Sequence, residues 1–276
     1  MGIFSFFKKA RETMREINEE IKKEDAFKEF VFSIGDDLYE VDEKNPYAGT
    51  FKEVPLFKME EPTEEFLKSL ARKPDKEVDY WKFIKHSGTT KDPECYIVFD
   101  LETTGLEAHK EAITEIAAIK FDYDEPVEYF HTYVNPKKKI REKITDLTGI
   151  TNEMVASAPP IEYVLPNFLK FIDKYTLISH NVSFDMSFIL DPMYNLGYKK
   201  PGNKAIDTLA LARRFMKDED TGKRLSSYKL EDLKYQLGLP LDVYDIKSHN
   251  ALYDTKVAYF LYKNCRELKE EYYKYK

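Results

Sequence analysis

Beyond residue 93 the chain settles into a pattern that leaves few folds open to it. Three apolar runs, 96–100, 113–122 and 129–135, are rich in β-branched and aromatic residues and read as successive strands. The chain then alternates. A helix is expected over 161–173, a strand over 176–179 and a helix over 183–196. A short strand at a sheet edge follows over 205–207, leading into a helix that ends at 216. A helix over 227–237 stops at Gly238, and a last one runs from 250 to about 272. Three strands followed by β–α alternation give an α/β architecture, a mixed sheet flanked by helices.

The first ninety residues read differently. Ile3, Phe6, Phe7, Ala10, Met14, Ile17 and Ile21 recur at helical spacing among charged residues, so 1–29 is expected to form an amphipathic helix packed on its own protein. From 29 to 62, short aromatic runs broken by turn formers suggest a few short strands. Thr63, followed by two glutamates, is a helix-start signal. The polar stretch 85–93 is taken as the boundary between a small N-terminal α+β region of unknown role (1–90) and a second domain (94–268).

Composition narrows the class. With 276 residues and 42% hydrophobic content, the chain can bury a sizeable core. No apolar run is long enough to cross a bilayer, so no membrane partner is expected. The two cysteines, Cys95 and Cys265, lack disulfide or zinc spacing, which points to a reducing cytoplasm. The net charge of −7 argues against a protein that tracks along nucleic acid by neutralising many phosphates. It leaves room for an enzyme that grips a few nucleotides with the help of bound cations.

The chemistry is carried by acids. Cys95-Tyr-Ile-Val-Phe-Asp100-Leu-Glu102-Thr-Thr-Gly-Leu106 is a strand that ends in two acids spaced i, i+2. Side chains alternate along a strand, so Asp100 and Glu102 share a face, where they make a poor core but a good cradle for a hard divalent cation. Two further blocks bring one acid each: His180-Asn-Val-Ser-Phe-Asp185 after a strand, and His249-Asn-Ala-Leu-Tyr-Asp254 at the opening of the last helix.

In these blocks, and in Tyr133-Val-Asn-Pro136, Ile144-Thr-Asp-Leu-Thr-Gly-Ile150 and Asp207-Thr-Leu-Ala-Leu-Ala212, residues 94–268 resemble the DEDDh (DnaQ-like) 3′–5′ exonucleases. That family includes the proofreading subunit or domain of bacterial replicative DNA polymerases, of the polymerase III epsilon and PolC types. The resemblance implies a ribonuclease-H-like exonuclease fold and two cations, Mg²⁺ or Mn²⁺. It makes Asp100 the ligand shared by both, with Glu102 and Asp254 completing one shell and Asp185 the other. It also implies that His249 is the general base, suited by an ordinary pKa of about 6.5. Thr103, Leu106, Asn181 and Phe184 become substrate contacts, Leu106 wedging against a base and Phe184 lying near the terminal nucleotide. Core packing competes for Phe184, and capping of the following helix competes for Asn181.

The implied substrate is a single-stranded DNA 3′ end, and the implied partner a replicative polymerase subunit. RNA 3′ ends are the alternative substrate, and a non-catalytic nucleic-acid-binding or scaffold protein is the reading from another class. Three features are expected to be structural. The basic run Lys137–Lys143 reads as a solvated loop, and His86, His109 and His131 lack a catalytic setting. Gln236-Leu-Gly-Leu-Pro-Leu241 reads as a helix end rather than a clamp-binding peptide.

Overall fold

The computed structural model describes residues 54–72, 84–85, 91–218, 221–237 and 250–275. The expected N-terminal amphipathic helix and most of the expected short strands before residue 62 lie outside the described residues. In chain order the elements are α1 (Glu64–Leu70), β1 (Ile84–Lys85), β2 (Cys95–Thr103), β3 (Ile113–Asp122) and β4 (Glu125–Tyr133). Then come α2 (Glu142–Thr148), α3 (Asn152–Ala156), α4 (Ile161–Ile172), β5 (Thr176–Ser179) and α5 (Val182–Asn195). The chain closes with β6 (Lys204–Asp207), α6 (Thr208–Phe215), α7 (Leu230–Gln236) and α8 (Ala251–Lys274).

The strands form one six-stranded sheet in the order β1-β6-β5-β2-β3-β4. β2, β3 and β4 pair antiparallel, as hairpin-connected strands do, whereas β2–β5, β5–β6 and β6–β1 pair parallel, β5 and β6 being joined through α5. β2 lies at the centre and is buried on both faces. Ile97, Phe99 and Leu101 point into a core shared with α4 and α5. Tyr96 and Val98 point the other way, into a core shared with α8. Asp100 and Glu102 continue that second stripe, so the acids stand where the apolar face toward α8 gives out.

One expectation is corrected. β6 is not an edge strand, because β1 pairs with it in parallel register, Ile84 opposite Lys204. The sheet unit also draws on residues ahead of 94. The Phe57 N–H donates to the Tyr129 carbonyl at 2.7 Å and the Tyr129 N–H to the Pro55 carbonyl at 3.0 Å, which occupies the outer edge of β4 at Tyr129. Phe57, Met59, Phe66, Leu67 and Leu70 pack into the core around α4 and α5. Asn167 holds the same segment by accepting from the Glu60 N–H at 3.0 Å. The helix-start reading at Thr63 is met, its hydroxyl accepting from the Phe66 N–H.

Candidate active site

The site is built where β2, β3, α5 and α8 meet. The β2/β3 register sets Asp100 opposite Ala117 and Glu102 opposite Glu115, with a bulge between Glu102 and Thr103. Ala117, with its single methyl, leaves space on the face that Asp100 occupies. α8 begins above this face, capped by the Asn250 side chain, which accepts from the Tyr253 N–H at 3.0 Å. Its first turn delivers Asp254. One ligand oxygen each of Asp100, Glu102 and Asp254 lies within 4.8 Å of the others. Residues about 150 positions apart in sequence are thereby brought into one cradle.

Asp185 enters from the first turn of α5 and is 2% exposed. The Ser179 hydroxyl donates to its Oδ2 at 2.5 Å. The backbone N–H of Leu101, beyond the end of the β2–β5 pairing, also donates to it. These contacts aim Asp185 at the carboxyl end of β2. Burial is the largest reason that all four acids hold their protons more tightly than usual. Asp100 is pushed well above the ordinary carboxylate range by burial, then by Asp185, Asp254 and Glu102. Glu102 is raised by burial, then by Glu115 and Asp254. Asp185 rises to about 7 through burial, in spite of the Ser179 and backbone hydrogen bonds. Asp254 rises to about 7 through burial, although Lys234 pulls the other way. Among the described residues no Lys, Arg or His forms an ion pair with any of the four. A converging set of oxygen donors with no ion-paired cation among the described residues fits a hard divalent ion, which takes oxygen ligands.

The other expected site residues fall as follows. His249 lies outside the described residues. Leu106 is 84% exposed, an apolar side chain offered to solvent two residues past Thr104. Thr103 is buried, and its hydroxyl donates to the Gly105 carbonyl at 2.7 Å, closing the turn after the acids. At Gly105 a side chain would push on the ends of Arg141 and Glu111. A Cβ would stand 2.7 Å from Arg141 Nη2 and 2.9 Å from the Glu111 carboxyl group. Phe184 is half-buried and packs at 5.0 Å on Phe188, so it joins the core at one edge and faces outward at the other. Asn181 does not cap α5. It sits in the left-handed region at φ 67°, its side chain exposed and making no cap hydrogen bond, while its N–H is held by Asp207. His180 is structural. Its ring nitrogens meet Thr208 Oγ1 at 3.0 Å and the Tyr228 carbonyl at 2.9 Å, and burial lowers its pKa.

Glu115 is a further acid of this site that the sequence reading passed over. It is 1% exposed, yet sits among apolar residues of β3 on the face that carries Glu102. Its signal is a lone carboxylate inside the run Ile113–Ile119, visible in the sequence but without meaning until the cross-strand register is known.

With this geometry in hand, comparison with known proteins decides the family. The model of the RNase_T exonuclease family matches residues 97–262. The chain belongs to that exonuclease family. The DNA polymerase III PolC-type protein of Bacillus cereus is 37% identical over 188 residues, covering 66% of this chain and 12% of that protein. The protein of the same name from Clostridium perfringens is 38% identical over 177 residues, 64% of this chain and again 12% of the relative. The chain thus spans about an eighth of the length of these relatives. Among solved structures, one of exonuclease I superposes with a TM-score of 0.56 at 19% identity, over 66% of this chain and 44% of that one. Escherichia coli exonuclease I in complex with a dA16 oligonucleotide gives 0.52 at 19% identity, over 65% and 43%. These likenesses concern the fold, which is that of the ribonuclease-H-like exonucleases.

Proposed function

We propose that this chain is a divalent-metal-dependent 3′–5′ exonuclease that shortens DNA from its 3′ end and releases nucleoside 5′-monophosphates. The observation that carries the reading is the meeting of Asp100, Glu102 and Asp254 within 4.8 Å, with Asp185 close enough to lift the pKa of Asp100. The four carboxylates would hold two cations, Asp100 shared, Glu102 and Asp254 on one and Asp185 on the other. Bound there, such ions neutralise the cradle and stabilise the charge that builds on the phosphate oxygens during displacement.

The protein's own residues supply the rest. His249, five residues before Asp254 in sequence, takes a proton from the attacking water. The water oxygen bonds to phosphorus as the bond to the 3′ oxygen breaks, and that oxygen leaves with a proton from solvent. The exposed Leu106 and the outer edge of Phe184 offer apolar contact to an unpaired base, which holds single strands without reading sequence. Similarity to PolC-type polymerases supports a role in proofreading or repair, with a replicative polymerase as partner.

The test is incubation of 3′-labelled single-stranded DNA and RNA with Mg²⁺ or Mn²⁺, with and without EDTA. Mononucleotide release from DNA, abolished by EDTA and by Asp100→Ala, is the expected result. Faster release from RNA would move the assignment to an exoribonuclease. Activity unchanged in Asp100→Ala would end it.

A further inference from the structure

Glu115 is a buried carboxylate with both oxygens engaged. Oε1 meets His131 Nε2 at 2.7 Å, and Oε2 accepts from the Ala251 N–H at 3.2 Å. Each partner belongs to a different element. His131 lies on β4, opposite Ala117 of β3. Ala251 is the first residue of α8, and Asp254 follows three residues later, on the same side of the helix. Glu115 itself pairs across the strands with Glu102. One side chain therefore ties the sheet to the helix turn that delivers Asp254.

The placement also has an electrostatic side. A carboxylate at the N-terminus of a 24-residue helix meets the positive end of its dipole, which favours the contact. The same charge opposes Glu102, Asp100 and Asp254, whose pKa values it helps to raise. An amide could make the hydrogen bond without the repulsion. What the carboxylate adds is a fifth acidic group beside the cradle, on the face that would attract a cation. The turn has a second, uncharged tie: the Thr255 hydroxyl lies 3.3 Å from the Ala117 carbonyl and 2.7 Å from the Ala251 carbonyl.

We propose that Glu115 is a positioning residue of this site, anchoring the first turn of α8 so that Asp254 meets Asp100 and Glu102, and adding charge that draws the divalent cation. His131 completes the anchor by holding the other oxygen of Glu115. The proposal rests on the exonuclease reading above for its kinetic consequences, but not for its binding consequences.

The test uses the full chain and three variants, Glu115→Gln, Glu115→Ala and Thr255→Ala, each followed by Tm, by Mn²⁺ titration of the metal-free protein, and by kcat and KM on a 3′-labelled oligonucleotide. Groups that orient metal ligands typically account for about 10–100-fold in metal affinity or activity. Glu115→Gln keeps an acceptor for Ala251 and loses the charge, so Mn²⁺ binding should weaken about tenfold while Tm stays near that of the parent. Glu115→Ala loses both, and kcat should fall about 10–100-fold with KM little changed. Thr255→Ala loosens the same turn without removing charge, so it should lower Tm and weaken Mn²⁺ binding less than either Glu115 variant does. Mn²⁺ affinity unchanged in both Glu115 variants would overturn the proposal. So would losses in Glu115→Ala that merely follow a lowered Tm and are matched by Thr255→Ala. If the parent binds Mn²⁺ but releases no mononucleotide, the exonuclease reading fails while the binding comparison still judges Glu115.

Discussion

Raising the pH of the metal-free protein should destabilise it, and divalent cations should reverse the loss. An aspartate in the unfolded chain ionises near 3.8, whereas folded Asp185 and Asp254 keep their protons up to about 7. The folded state therefore binds more protons between these values. The stability that comes from this is fully present below the unfolded pKa and is lost as the pH rises through the folded one. From about pH 5.5 to 7, at 1.36 kcal/mol per pH unit, one such group gives up about 2 kcal/mol. A domain of this size shifts by about 2–4 °C per kcal/mol, so Tm in EDTA should be about 4–8 °C lower at pH 8 than at pH 5.5. Mg²⁺ or Mn²⁺ at 100 times its Kd contributes about 2.7 kcal/mol, enough to cancel the loss at the higher pH. At the lower pH, protons compete for the same oxygens and the response should be smaller. The assay is thermal unfolding in EDTA and in each metal at both pH values, for the parent and for Asp185→Asn. The variant removes one of the raised acids and should flatten the pH dependence. A parent Tm in EDTA that is level or rising with pH, together with no response to metal, would refute the assignment of these carboxylates to one crowded, cation-binding cleft.

Other outcomes follow from single contacts. Leu70→Ala, at the end of α1 and in the core around α4 and α5, should cost about 2–4 kcal/mol in denaturant unfolding; no loss would mean that the 54–72 segment is not part of that core. Arg266 pairs with Asp124, which also accepts from the Tyr96 hydroxyl at 2.5 Å. Burial alone would raise Asp124, but these two partners hold it below its usual value, so its contribution is present above the unfolded pKa and fades as pH falls through the folded one. Arg266→Ala should accordingly lower Tm near neutral pH, and the difference from the parent should shrink in acid. Leu106→Ala should leave Tm unchanged, because the side chain is 84% exposed, and raise KM for an oligonucleotide; an unchanged KM would remove Leu106 from the substrate contacts.

Much of the sheet unit was legible because its signals are local. β3 and β5 match the bounds expected from their β-branched runs. β2 runs further than its apolar residues, through Thr103, because the acids remain in strand pairing with β3. β4 starts earlier than expected, at Glu125, since Tyr123 and Asp124 at φ 48° and 67° form a tight turn that no glycine announces. α2 and α3 were missed; each is a helix of one to two turns, too short to show a period. β1 is two residues long and exists only through its partner β6. The basic run 137–143 is less idle than its composition suggests. Lys138 and Arg141 both reach Glu111, at 2.8 and 2.9 Å, and Arg141 also donates to the Thr104 carbonyl, so the run braces the turn that carries Leu106. Among the site residues, Asp100 and Glu102 could be read from alternation alone. Glu115 could not, because its importance lies in which strand and which helix end it faces.

Short lengths of chain from outside the main alternation lie against both flanks of the sheet, Pro55–Phe57 along β4 and Ile84–Lys85 along β6. An uncovered flank is a row of unpaired backbone groups, ready to zip onto a neighbouring molecule. Here one flank is met at its middle, at Tyr129, and the other ends in a stub of two residues. A fragment cut at the first residue of β2 would lose both guards at once, and should clump where the longer chain stays dispersed.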